Sequence, residues 1–147
     1  MREILFRGKR TDNGEWLYGD LWQKPYSSKN CICIASTIED FGTRSGRFVI
    51  PETVGQYTGL KDKNGTKIFE GDIVKLHDEW SHEDEWKAII AFGNPNGRYN
   101  WGWQLNSIGH PTDYNTDILC WIEMGEVGTY TEIIGNIYDN PELLKGE

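Results

Sequence analysis

Apolar and polar positions alternate with a period of two along most of the chain. No segment sustains the 3.6-residue apolar repeat of an amphipathic helix. Across residues 15–22, Trp16, Tyr18 and Trp22 fall on one face, and Leu17, Gly19 and Leu21 on the other. Across 86–92, Trp86, Ala88, Ile90 and Phe92 alternate with Lys87, Ile89 and Ala91. Tyr99, Trp101, Trp103 and Leu105 alternate with Asn100, Gly102, Gln104 and Asn106, the pattern of a half-buried strand whose polar side meets solvent. Shorter runs at 3–7, 31–38, 47–50, 54–57, 73–76, 118–124 and 131–138 read as further strands.

Turn chemistry separates these runs. Asp12-Asn13-Gly14 and Asn64-Gly65 are hairpin signals, the second predicting a type I′ turn. Glu70-Gly71-Asp72 predicts another tight turn, in which the Asp carboxylate accepts backbone N–H groups. Residues 109–116 read as a loop. Near the C-terminus, Asn140 is placed to cap and Pro141 to open a short helical turn, with Leu143 and Leu144 free to dock it. The predicted fold is all-β, with roughly eight to ten strands. A small antiparallel β-module at 1–52 precedes an SH3-like β-barrel at 53–147, closed by the helical turn; the two are packed closely enough to count as one domain.

Composition agrees with strands and turns, with 17 Gly, 7 Trp and 7 Tyr in 147 residues. The net charge of -8 denies the chain a broad basic face, so nucleic-acid binding would need a local patch. The three cysteines include Cys31 and Cys33 on one strand face, but no C-x-x-C pair, which excludes a zinc ribbon and suits a reducing compartment. No apolar run approaches the ~20 residues that span a bilayer. The expectation is a soluble, cytoplasmic protein without a membrane partner.

Candidate chemistry is sparse. His77, Asp78, His82 and Glu83 are a set of metal-ligand types whose spacing matches no metal motif, and a solvated charged loop is the plainer reading. Arg98, Tyr99, Trp101 and Trp103 have the composition of a base-stacking platform, and Lys61, Lys63 and Lys67 make the Asn64-Gly65 hairpin locally basic. The same aromatic stripe suits a packed core. No nucleophilic triad, phosphate loop or cofactor motif is present, so no catalytic residue and no cofactor are assigned.

Four segments carry a family resemblance: FRGK at 6–9, GEWLYGDL at 14–21, IPETVGQYTGLKDKNGTKIFEGDIVK at 50–75 and TEIIGNIYDNPELL at 131–144. Together they resemble the YopX family of phage and prophage proteins over nearly the whole chain. The resemblance implies a mostly β fold, an SH3-like C-terminal half and a phage-encoded origin, and it brings no activity with it. The leading functional expectation is therefore a non-enzymatic accessory protein that binds an unidentified protein partner, with room for a homo-oligomer. A nucleic-acid-binding β-barrel is the alternative, and a metal-dependent hydrolase at His77 and His82 a weaker one.

Overall fold

The computed structural model describes residues 3–23, 32–35, 48–77, 86–93, 102–108, 115–117 and 130–145. Among them are eleven strands. They are β1 (Phe6–Lys9), β2 (Trp16–Gln23), β3 (Ile32–Ala35), β4 (Phe48–Val49), β5 (Gly55–Lys61) and β6 (Lys67–Phe69), then β7 (Asp72–His77), β8 (Trp86–Phe92), β9 (Trp103–Ser107), β10 (Asn115–Asp117) and β11 (Tyr130–Asn136). Single 3-10 turns lie at Pro51–Thr53 and Pro141–Leu144. One sheet runs in the order β4-β3-β2-β1-β5-β6 and the other β10-β9-β8-β7-β11. The chain divides into two compact units, Met1–Gly59 and Leu60–Glu147.

In the first unit, β1 and β2 form the hairpin expected from Asn13-Gly14, with Lys9 opposite Trp16 and Arg7 opposite Tyr18. Beyond β1 the chain meets β4: the Ile50 N–H donates to the Lys9 carbonyl at 2.8 Å, and the Thr11 N–H to the Phe48 carbonyl at 3.0 Å. Gly8 lies where this crossing is tightest. A Cβ there would stand 3.0 Å from Val49 Cβ and 3.1 Å from Ile34 Cδ1. The glycine of the FRGK segment thus lets the backbone approach a core of Ile34 and Val49, both buried.

In the second unit, Val74, Leu76, Ala88, Ile90 and Leu105 form one apolar layer across β7, β8 and β9. Ile68 of β6 joins it, and Leu60, Trp86, Trp103 and Ile133 pack at its margin. Alternation accounts for the β7 and β8 parts of this layer, since Val74 and Leu76, like Ala88 and Ile90, are two positions apart.

Several expectations are corrected. The described strands form two open sheets, not an SH3-like barrel: β10 and β11 end the second sheet at opposite edges, and β6 pairs into the first. Asn115 and Thr116, read as the end of a loop, form β10 together with Asp117 because β9 supplies their backbone partners. The last strand stops at Asn136 instead of reaching Tyr138. Asn136 Oδ1 accepts the N–H groups of Tyr138 and Asp139 at 3.0 and 2.9 Å, turning the chain there. Asn140 makes no side-chain cap on the 3-10 turn; its Oδ1 accepts the Asn136 N–H at 3.2 Å instead.

Candidate functional site

Cationic and aromatic side chains come close together in the first unit. The β1–β2 register sets Arg7, Lys9, Trp16 and Tyr18 on one face of the sheet. The Arg7 guanidinium stands 4.5 Å from the Trp16 ring centroid, and Lys9 Nζ 5.6 Å from the same centroid. Two cations thus share one indole, an arrangement that holds them in place through the ring quadrupole. Arg7 is buried, whereas Tyr18 is 48% exposed. Trp22, Cys33 and Phe48 continue the same face across β2, β3 and β4.

The sequence singled out the Trp16, Tyr18 and Trp22 stripe but not the cations beside it. The information was present: a hairpin about Asn13-Gly14 places Lys9 across from Trp16.

The basic hairpin of the second unit is organised differently. At its centre is Asp62, which is buried. Its Oδ1 accepts the N–H groups of Asn64 and Thr66, both at 2.9 Å, and its Oδ2 accepts the Ile133 N–H at 3.1 Å. The Gly65 N–H donates to the Asp62 carbonyl at 3.0 Å. Among the described residues only glycines have positive φ, Gly65 at 81°, so Asn64 does not take the left-handed conformation that a type I′ turn requires. The turn is instead of the type I kind followed by a bulge glycine, selected because Asp62 captures two N–H groups inside it.

That turn also covers an edge. The Lys63 N–H donates to the Thr131 carbonyl at 3.0 Å, while Asp62 accepts from Ile133. One N–H and one carboxylate oxygen therefore take the places that a neighbouring strand would fill beside β11, which ends its sheet. Lys63 Nζ pairs with Glu132 at 3.3 Å. Of the basic trio, Lys61 is exposed, Lys63 is engaged with Glu132, and Lys67 is half-buried in β6.

The remaining candidates divide between described and undescribed positions. Trp103 packs at the margin of the apolar layer and meets Phe92 edge-on, with centroids 4.9 Å apart; Phe92 is 63% exposed. Arg98, Tyr99 and Trp101 lie outside the described residues, as do Asp78, His82 and Glu83. His77 ends β7, opposite Tyr130. Among the described residues, no group of three or more His, Cys, Asp or Glu is placed to hold a metal ion.

One buried group was not anticipated. Gln104 is fully buried on the face of β9 opposite Leu105, and among the described residues neither its Oε1 nor its Nε2 has a hydrogen-bond partner. The strand expected to be half-buried is therefore covered on both sides here. Alternation alone could not reveal this, because a polar residue between two apolar ones reads as solvent-facing.

The family model described as YopX protein matches residues 5–145. The chain belongs to the YopX family. It is also similar to the crystal structure of protein EF1440 from Enterococcus faecalis, at 26% identity and a TM-score of 0.50, over 99% of this chain and 100% of that one. No curated protein matches it.

Three polar residues of the YopX-like segments bond to backbone. Asp62 closes the β5–β6 turn, Asp72 Oδ2 accepts the Phe69 N–H at 2.8 Å, and Asn136 organises the turn after β11. These side chains satisfy N–H groups that a turn leaves without ladder partners. Among the described residues no helix is long and apolar enough to cross a membrane.

Proposed function

We propose that this YopX-family chain is a non-enzymatic protein-interaction module, and that the face carrying Trp16 and Tyr18 is its docking surface. The reading places it as a phage- or prophage-encoded accessory protein acting in the host cytoplasm; that origin comes with the family resemblance. The observation that carries the interaction reading is the pair of cations held on Trp16 beside an exposed Tyr18. Tyr, Trp and Arg are the side chains that most often anchor protein interfaces, because they bury large area and still offer polar contacts. The engagement of Asp62, Asp72 and Asn136 with backbone supports the same reading, since these motif residues serve the fold.

The test is native mass spectrometry of untagged protein captured from host lysate, comparing the natural chain with Tyr18→Glu and Phe92→Ser. The expected result is a host protein retained by the natural chain and by Phe92→Ser, and lost by Tyr18→Glu. Retention by Tyr18→Glu overturns the assignment of the face. A low-salt gel shift of single-stranded nucleic acid, falling steeply with salt and lost in a Lys61→Ala, Lys67→Ala double variant, would overturn the protein-partner reading in favour of nucleic acid.

A further inference from the structure

The chain contains two Asn-Gly steps in described turns, and the fold treats their side chains differently. Asn followed by Gly is open to an internal reaction, because no Cβ on the next residue shields its nitrogen from the Asn carboxamide. Asn13, Gly14, Asn64 and Gly65 are all exposed. No atom lies within 4 Å of where a Cβ would stand on either glycine. Both glycine N–H groups are hydrogen-bonded, Gly14 to the Arg10 carbonyl at 3.1 Å and Gly65 to the Asp62 carbonyl at 3.0 Å. Neither access nor the glycine nitrogen distinguishes the two steps.

The carboxamides do. Asn13 Oδ1 accepts the Glu15 N–H at 2.9 Å, which fixes the side chain along its own backbone. Asn64 is held only through its backbone N–H, which donates to Asp62; its side chain makes no hydrogen bond among the described residues. It is free to swing its Cγ toward the Gly65 nitrogen.

We propose that Asn64 is a self-modification site, deamidating ahead of Asn13 in the folded protein and thereby releasing the turn that covers β11. The Gly65 nitrogen loses its proton to hydroxide and attacks Asn64 Cγ. The new N–Cγ bond forms as the Cγ–Nδ2 bond breaks, ammonia leaves, and a five-membered succinimide results. Water then opens the ring at either carbonyl, giving aspartate or isoaspartate. Overall one water is consumed and one ammonia released, with no redox partner.

The products matter because of what the turn holds. Isoaspartate inserts a methylene into the main chain between two of the N–H groups that Asp62 and its carbonyl capture. Either product adds a carboxylate two residues along the turn from the Asp62 carboxylate, and like charges repel. The Asp62 bond to Ile133 and the Lys63 bond to Thr131 depend on that geometry. Their loss uncovers the outer edge of β11, and an uncovered edge is a template for pairing with another strand.

The experiment incubates the full chain at mildly alkaline pH, folded and in denaturant, and follows each Asn-Gly peptide by mass. The expected result is conversion at Asn64 several-fold ahead of Asn13 in the folded chain, with the difference lost in denaturant. Equal rates in the folded chain, or Asn13 reacting first, overturns the proposal. Hydrogen exchange then reads the consequence: the Ile133 amide exchanges faster in the converted fraction, while Asn64→Gln keeps its protection through the same incubation. Unchanged Ile133 protection after conversion overturns the link to the edge.

Discussion

The turns at Asn13-Gly14 and Asn64-Gly65 share a dipeptide and a nearby aspartate, Asp12 directly before the first and Asp62 one residue further from the second, yet they do different work. In the first, Asp12 sits on the surface and pairs with Arg10, its Oδ2 2.6 Å from Nη2 and its Oδ1 2.9 Å from Nε. Every bond its carboxylate makes to Arg10 stays within the turn. In the second, Asp62 is buried and accepts three backbone N–H groups, one of them 71 residues away at Ile133. One aspartate decorates a hairpin; the other fastens a hairpin to a sheet edge. What decides the matter is which donors surround the carboxylate, not the turn sequence.

The largest expected effect follows directly. Asp62→Ala removes a charged acceptor from three N–H groups, and hydrogen bonds to charged groups are among the stronger ones, so the loss should be about 2–4 kcal/mol in denaturant unfolding. Asp12→Ala should leave the midpoint nearly where it was, because exposed ion pairs contribute little. If the two substitutions prove equally mild, Asp62 is not a fastening and the contrast fails. Hydrogen exchange at Ile133 sharpens the result: protection should fall with Asp62→Ala and persist with Asp12→Ala.

The same contrast explains how much was legible beforehand. Strand positions were readable because alternation is local: residues 86–92 emerge as β8, and the run at 15–22 lies one residue from β2. The turn glycines were readable too, since only backbone tolerance is at stake. Closure of a sheet is not local, and the expected barrel gave way to two open sheets. β10 shows the same limit from the other side: Asn115 and Asp117 are poor strand formers, and the segment becomes a strand only through β9. Asp62 was visible as a turn residue, but its bond to Ile133 was not, because no sequence spacing predicts which distant N–H arrives beside it. The cation pair on Trp16 lay between these cases, recoverable from the hairpin register.

A middle-sized effect tests whether docking makes a turn less forgiving. Gly14 and Gly65 both have left-handed φ, 72° and 81°, and both have open space around the Cβ position. Alanine at either pays the strain of that conformation, about 1–2 kcal/mol. The expectation is equal losses from Gly14→Ala and Gly65→Ala in thermal or denaturant unfolding. A clearly larger loss at Gly65 would show that the strained turn also releases Asp62 from β11, making the fastening more brittle than its hydrogen bonds suggest.

The smallest effect belongs to the surface turn and lies entirely on the acid side. The hydrogen bond from Arg10 is the main reason the Asp12 carboxyl is held below its ordinary range, with the guanidinium charge adding to it. A carboxyl whose folded value is depressed contributes stability above its unfolded value, about 3.9 for Asp, and loses it as pH falls through the lower folded value. Nothing should change near neutrality. Carboxyl NMR titration of Asp12 should show the depressed value in the natural chain and a return toward the ordinary range in Arg10→Gln, with the neutral-pH unfolding midpoint almost unmoved. Should Arg10→Gln shift that midpoint as far as Asp62→Ala does, the surface turn would be fastened to the fold as firmly as the buried one. The difference between the two aspartates would then be one of exposure alone.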